Sequence, residues 1–165
     1  MALSLPVHLL IHLFFSLLAG FFVWKIWKKP YLAFFCGFLG GFLIDLDHFL
    51  DYYLAFGWNW QWQYFEGGYQ FLKSGKIFVL FHAWEYVIIL ACLIFFLKNK
   101  YSKIIFLSLA SGIFFHLATD VVIDDMPIKS YSISYRIRNN FEIAKIVKPV
   151  NYEKHLKKRA LIKFE

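Results

Sequence analysis

The chain has 165 residues, 60% of them hydrophobic and 22% aromatic, with a mean hydropathy of +0.54. That composition excludes an ordinary soluble domain of this length and points to a membrane protein. Much of the net charge of +7 lies in residues 126–165, which favours anionic lipid as a partner, and no nucleic-acid partner is expected.

Four stretches are long enough to cross a bilayer, which takes roughly 20 residues: residues 5–27, 31–50, 77–97 and 104–123. The first lacks the basic start and small-residue cleavage site of a signal peptide. It ends in Trp24, Lys25, Trp27, Lys28 and Lys29, an interfacial anchor, and is expected to remain as a helix. Pro30 suits the first turn of the second span. The connections KIWKKP and KNKYSK are short and basic, so spans 1–2 and 3–4 read as antiparallel hairpins. Between spans 2 and 3 runs a longer loop, residues 52–76. There Trp58, Trp60 and Trp62 alternate with Asn59, Gln61 and Gln63, a period of two that predicts a short extended segment with one aromatic face at headgroup level. It reads as an interfacial anchor or as a lid over a lipid-facing site. Residues 126–165 are basic and partly amphipathic with no spanning run, and are expected to lie on the membrane surface or be partly disordered. Cys36 and Cys92 sit in apolar runs and read as buried hydrophobes rather than a disulfide. The expected fold is therefore all-α and integral to the membrane. Residues 1–125 would form a four-transmembrane-helix antiparallel bundle with a metal site at one end, and 126–165 a basic C-terminal tail.

Ionisable groups inside apolar spans cost about 2.5–3.5 kcal/mol each at a helix centre, so their clustering needs a compensating partner. The stretch GGFLIDLDHFLD, residues 40–51, gathers Asp45, Asp47, His48 and Asp51. A bound cation or a water-filled pocket would compensate them. His8 and His12 stand near the start of span 1, His82 and Glu85 near the start of span 3, and His116, Asp120 and Asp124 near the end of span 4. In an up-down-up-down bundle all four clusters fall at one end and lysines occupy the other. His8/His12 and His116/Asp120 are i,i+4 pairs; His82/Glu85 and Asp45/His48 are i,i+3 pairs, so each pair would share a helix face. Facing helices commonly build bundle-core metal sites from such pairs. Asp45 and Asp47, about 160° apart on a regular helix, cannot both face inward: either the helix ends there or one of them has a supporting role. His8 by itself reads as a core histidine, and Asp124 and Asp125 as helix-end residues. The expected metal ligands are His12, Asp45, His48, His82, His116 and Asp120. Asp47 or Glu85 would act as general base or orient a ligand histidine.

These motifs resemble a family of small membrane-bound proteins described as predicted metal-dependent hydrolases, named after a LexA-regulated inner-membrane member. The shared pieces are an N-terminal His followed by an apolar stretch and Gly (His12 to Gly20), G-x-x-x-D-x-D-H (Gly41 to His48), a His opening the third helix (His82), and G-x-x-x-H-x-x-x-D (Gly112 to Asp120). They cover roughly residues 8–123. The H-x-x-x-D element is also similar to zinc ligation in bacterial phospholipase C and related nucleases, which implies phosphodiester chemistry. Two positions depart from the pattern: Leu43-Ile44 replaces the Leu-Pro that usually precedes the first Asp, and Phe81-His82-Ala83-Trp84-Glu85 replaces the usual surroundings of the third-helix histidine.

The expected function is a membrane-embedded hydrolase that uses a divalent metal, zinc first because His is abundant, with manganese or iron where carboxylates dominate. The expected substrate is lipid-like and phosphate-bearing, a phospholipid or a relative of one, and membrane lipids are the expected partners. The alternatives are a metal- or proton-transporting or metal-binding membrane protein and a b-type haem protein. The basic short loops place the site on the extracytoplasmic side of the inner membrane, whereas the ten Lys and Arg of the tail argue the reverse.

Overall fold

A computed structural model describes residues 4–164, and among these the regular structure is helical. Helix α1, Leu5–Trp27, opens with Pro6 in its first turn, where a missing N–H costs nothing. It stops where Lys28 turns left-handed (φ 56°) and its N–H bonds the Trp24 carbonyl at 2.7 Å. Helix α2, Pro30–Gly41, follows after two residues. The later helices are α3 (His48–Phe56), α4 (Trp62–Glu66), α5 (Tyr69–Ser74), α6 (Trp84–Phe96), α7 (Lys100–Ile123), α8 (Ile133–Arg138), α9 (Ile143–Ile146) and α10 (Pro149–Ala160). The Asn99 side chain caps α7 by accepting the Tyr101 amide at 2.7 Å.

Two helices, α1 and α7, are long and apolar enough to cross a membrane, and a third span exists if α2 and residues 43–56 count as one broken segment. Among the described residues, two or up to three of the four expected spans meet that length and composition. Residues 31–50 break after Gly41 into a 3-10 turn, Leu43–Asp47, and then α3. Two consecutive glycines, the weakest helix formers after proline, stand at the break. The expected span 77–97 is helical only from Trp84, and its 13 residues reach roughly 20 Å against a hydrocarbon core of about 30 Å. The reason lies in residues 78 and 79. Their amides bond the Asp51 carboxylate, each at 2.8 Å, which anchors this stretch to α3. Val79 is also held at φ 31°, outside the helical region and rare for a β-branched residue.

The chain divides into two compact units. The first comprises residues up to Asp45 together with 81–125, and holds α1, α2, α6 and α7. Its interior is lined by small and polar residues, among them Ser16, Ala19, Ala33, Ser108 and Ala110, while Leu10, Phe14, Phe35, Ile88, Phe95 and Phe96 are exposed. Bulky apolar groups outside and small ones between helices is the arrangement that suits hydrocarbon surroundings. Helices α2 and α7 approach closely. A Cβ on Gly112 would lie 2.6 Å from the Gly37 carbonyl oxygen and 2.9 Å from the Gly41 nitrogen, so only glycine permits this packing. Cys36 is buried and Cys92 exposed, and neither forms a disulfide.

The second unit comprises residues 46–80 and 126–164. The loop expected to be extended across the tryptophans is largely helical: α3 runs to Phe56, α4 begins at Trp62, and only residues 59–61 lie between them outside a helix or its closing turn. Trp60 stacks on Phe49 (5.4 Å between centroids), and the Tyr52 hydroxyl receives the Gln61 amide at 2.8 Å, which folds the segment back over α3. The tail, expected at the surface or partly disordered, is helical over much of its length and packs with 46–80. Ile77 N–H bonds the Phe141 carbonyl and Ile143 N–H the Gly75 carbonyl, both at 3.0 Å. The fully buried Arg136 donates to the Val79 carbonyl at 2.9 Å.

Candidate metal centre

The first unit brings five of the expected ligands together. Helix α1 presents His12, with His8 one turn earlier, and α7 presents His116 and Asp120 one turn apart. His12 and His116 each lie thirteen positions from the lysine at the other end of their own helix, Lys25 or Lys103, roughly 20 Å away at 1.5 Å per residue. That shared level explains why their rings stack, with centroids 3.9 Å apart. Asp45 arrives from the 3-10 turn after α2, and His82 from the extended residues before α6. His82 therefore does not share a helix face with Glu85, because α6 starts only at Trp84. The question of Asp45 against Asp47 is answered by the end of α2: both lie in a 3-10 turn, where the α-helical angle between them does not apply.

His116 fixes the chemistry of the group. Its Nδ1 lies 2.8 Å from the Gly41 carbonyl oxygen, which can only accept, so Nδ1 carries the proton and a neutral ring turns its Nε2 lone pair to the other side. The Gly41 carbonyl belongs to the last turn of α2, whose carbonyls lack helical partners. The Nε2 atom stands 2.9 Å from His82 Nε2, 3.2 Å from Asp120 Oδ2 and 3.4 Å from Asp45 Oδ1. His82 Nε2 is in turn 3.3 Å from Asp45 Oδ1 and 3.8 Å from Asp120 Oδ2. Four ligands placed tetrahedrally at about 2.0–2.1 Å from an ion would be separated by roughly 3.3–3.4 Å, and these five separations bracket that value. His82, His116 and Asp120 are buried, while the Asp45 side chain retains 18% exposure and marks the open side. Buried His and Asp groups that can hold a metal ion are thus present.

Asp47 and His48 belong to the second unit, where Asp47 is buried and the His48 ring lies edge-on to Phe71 at 5.8 Å. Glu85 stands half-buried in the first turn of α6. Asp124 closes α7 and its N–H bonds the Asp120 carbonyl at 2.9 Å. Asp51 serves as the acceptor for Phe78 and Val79. His8, read from the sequence as a core histidine, sits beside the cluster instead, with its Nε2 2.6 Å from His12 Nε2 and 3.7 Å from Asp120 Oδ1. Its i,i+4 spacing from His12 was the available signal. Comparison with family models, curated proteins and solved structures returns no match to this chain.

Proposed function

We propose that the protein is a membrane-embedded metal-dependent hydrolase of a lipid-like substrate bearing a phosphate ester. The observation that carries the reading is the set of 2.9–3.8 Å separations that His82 Nε2 and His116 Nε2 make with each other and with Asp45 Oδ1 and Asp120 Oδ2, with the His116 tautomer set by Gly41. A divalent cation held there, zinc by preference for this donor set, supplies Lewis acidity that makes water nucleophilic near neutral pH and polarises a phosphoryl oxygen. Water's oxygen would bond to phosphorus as the ester P–O bond breaks. The water proton would pass to a carboxylate, and the departing alkoxide would take up a proton. Glu85, three residues after His82 in the same unit, is our candidate acceptor, with Asp47 the other; His48 remains a proposed ligand from the sequence pattern. Depth supports a lipid substrate. The group lies near one end of both long apolar helices, so its partly open Asp45 side would meet the headgroup level of a bilayer. The lysines at the opposite end favour placing it on the extracytoplasmic face of the inner membrane. Haem ligation fits poorly, since two axial nitrogens would need roughly 4 Å between them, twice a bond of about 2.0 Å, and His82 and His116 are 2.9 Å apart.

The test is elemental mass spectrometry on the untagged chain purified in detergent, beside His116→Ala and Asp45→Ala. Bound zinc, manganese or iron that is lost in both variants, followed by release of phosphate or phosphoalcohol from lipid phosphoesters, is the expected result. Failure to bind any of the three ions after reconstitution would end the hydrolase reading.

A further inference from the structure

We infer that Asp120 bridges two divalent cations, the second held by His8 and His12; this rests on the metal-hydrolase reading and extends it to a two-ion centre. The two oxygens of Asp120 face different pairs of imidazoles. Oδ2 faces His116 and His82, at 3.2 and 3.8 Å. Oδ1 faces His12 and His8, at 3.0 and 3.7 Å. His8, His12 and Asp120 each contribute one ligand atom to a group within 4.8 Å of one another, as do His82, His116 and Asp120.

Proton accounting favours an ion at the His8 side. His12 Nε2 and His8 Nε2 approach to 2.6 Å, and a neutral imidazole nitrogen carries one proton at most. Asp120 Oδ1 is buried and stands 3.0 Å from His12 Nε2, so one carboxylate oxygen and two imidazole nitrogens crowd a single point. A buried carboxylate oxygen left in that state is costly. A cation among the three atoms would remove the cost, the two nitrogens parting from 2.6 Å toward the roughly 3.3–3.4 Å of ligands to one ion. The stacking of His12 on His116, with centroids 3.9 Å apart and planes at 21°, would carry two ions in front of neighbouring rings. Two dications against the Asp45 and Asp120 carboxylates leave the centre positive, so an anionic phosphoryl group is the substrate class that completes it.

The experiment uses the untagged full-length chain in detergent, stripped with chelator and reloaded with Mn²⁺. Manganese per chain is measured by elemental mass spectrometry, and the ions by electron paramagnetic resonance. Two ions per wild-type chain with an exchange-coupled spectrum, falling to one ion with an isolated-ion spectrum in His8→Ala, is the expected result. One ion per wild-type chain would overturn the bridging role and leave the hydrolase reading standing; none would remove both. Two ions retained by His8→Ala would also overturn it. The His8 side chain is 21% exposed, so the variant should keep its helical circular dichroism; if it does not, the wild-type stoichiometry and spectrum decide.

Discussion

Replacing Gly112 with alanine should weaken metal binding without touching a ligand. The new Cβ would lie 2.6 Å from the Gly37 carbonyl oxygen, 2.9 Å from the Gly41 nitrogen and 3.0 Å from the Gly40 carbonyl carbon. All three are backbone atoms of α2, so no side-chain rotation relieves the clash and the two helices must part by several tenths of an ångström. Overpacking of this kind costs about 1–3 kcal/mol. The same displacement acts on the 2.8 Å bond from His116 Nδ1 to the Gly41 carbonyl, one turn further along α7. Loss of such an outer contact typically lowers metal affinity 10–100-fold, or about 1.4–2.8 kcal/mol. The assay is zinc competition against a chromophoric chelator in micelles, with thermal melting of the metal-free protein alongside. Glycine to alanine inside a helix that met nothing would instead stabilise by about 0.8–1.0 kcal/mol. The sign therefore discriminates: a raised melting temperature with unchanged zinc affinity would refute the close approach of α2 and α7.

Other outcomes follow from the same geometry. Asp51→Asn should weaken the two amide bonds that replace the helix at residues 78 and 79, with a loss of about 1–3 kcal/mol; unchanged amide hydrogen exchange at Phe78 and Val79 would contradict it. Arg136→Leu leaves the buried Val79 carbonyl without this donor, so protease cleavage within 126–164 should accelerate, and an unaltered digestion pattern would count against the docked tail. Stripping the metal should lower the melting temperature reversibly, since an ion at 100 times its dissociation constant stabilises by about 2.7 kcal/mol; identical melts with and without zinc would tell against a folded-state site. Burial, and then the neighbouring Arg159 and Lys158 charges, hold the His155 imidazole below its ordinary range. Its contribution to stability is therefore complete above the unfolded value near 6.5 and is lost as pH falls through the lowered folded value. Hydrogen-exchange protection of α10, taken against the intrinsic rate at each pH, should fall on acidification in the wild type and lose that dependence in His155→Gln.

The parts of this protein legible in its sequence are those governed by neighbours along the chain. Long apolar runs satisfy their own backbone, so α1 and α7 follow from composition alone, and the 3.6-residue period places His8 with His12 and His116 with Asp120 on common faces. The convergence of His12, Asp45, His82, His116 and Asp120 at one end also followed from the order of the segments. What the sequence could not display are competitions settled by groups from far along the chain. Asp51 captures amides 27 and 28 residues away, and with Val79 held at φ 31° the helix α6 starts only at Trp84, too short to count as a span. Arg136 reaches a carbonyl 57 residues away and helps join a charged tail, unremarkable by composition, to residues 46–80. The Gly41 carbonyl finds a histidine 75 residues on, which sets the tautomer of His116. Only tertiary structure gave His8 a place beside Asp120 and turned the two carboxylate oxygens toward different histidine pairs, because orientation across helices depends on how closely glycine lets their backbones meet.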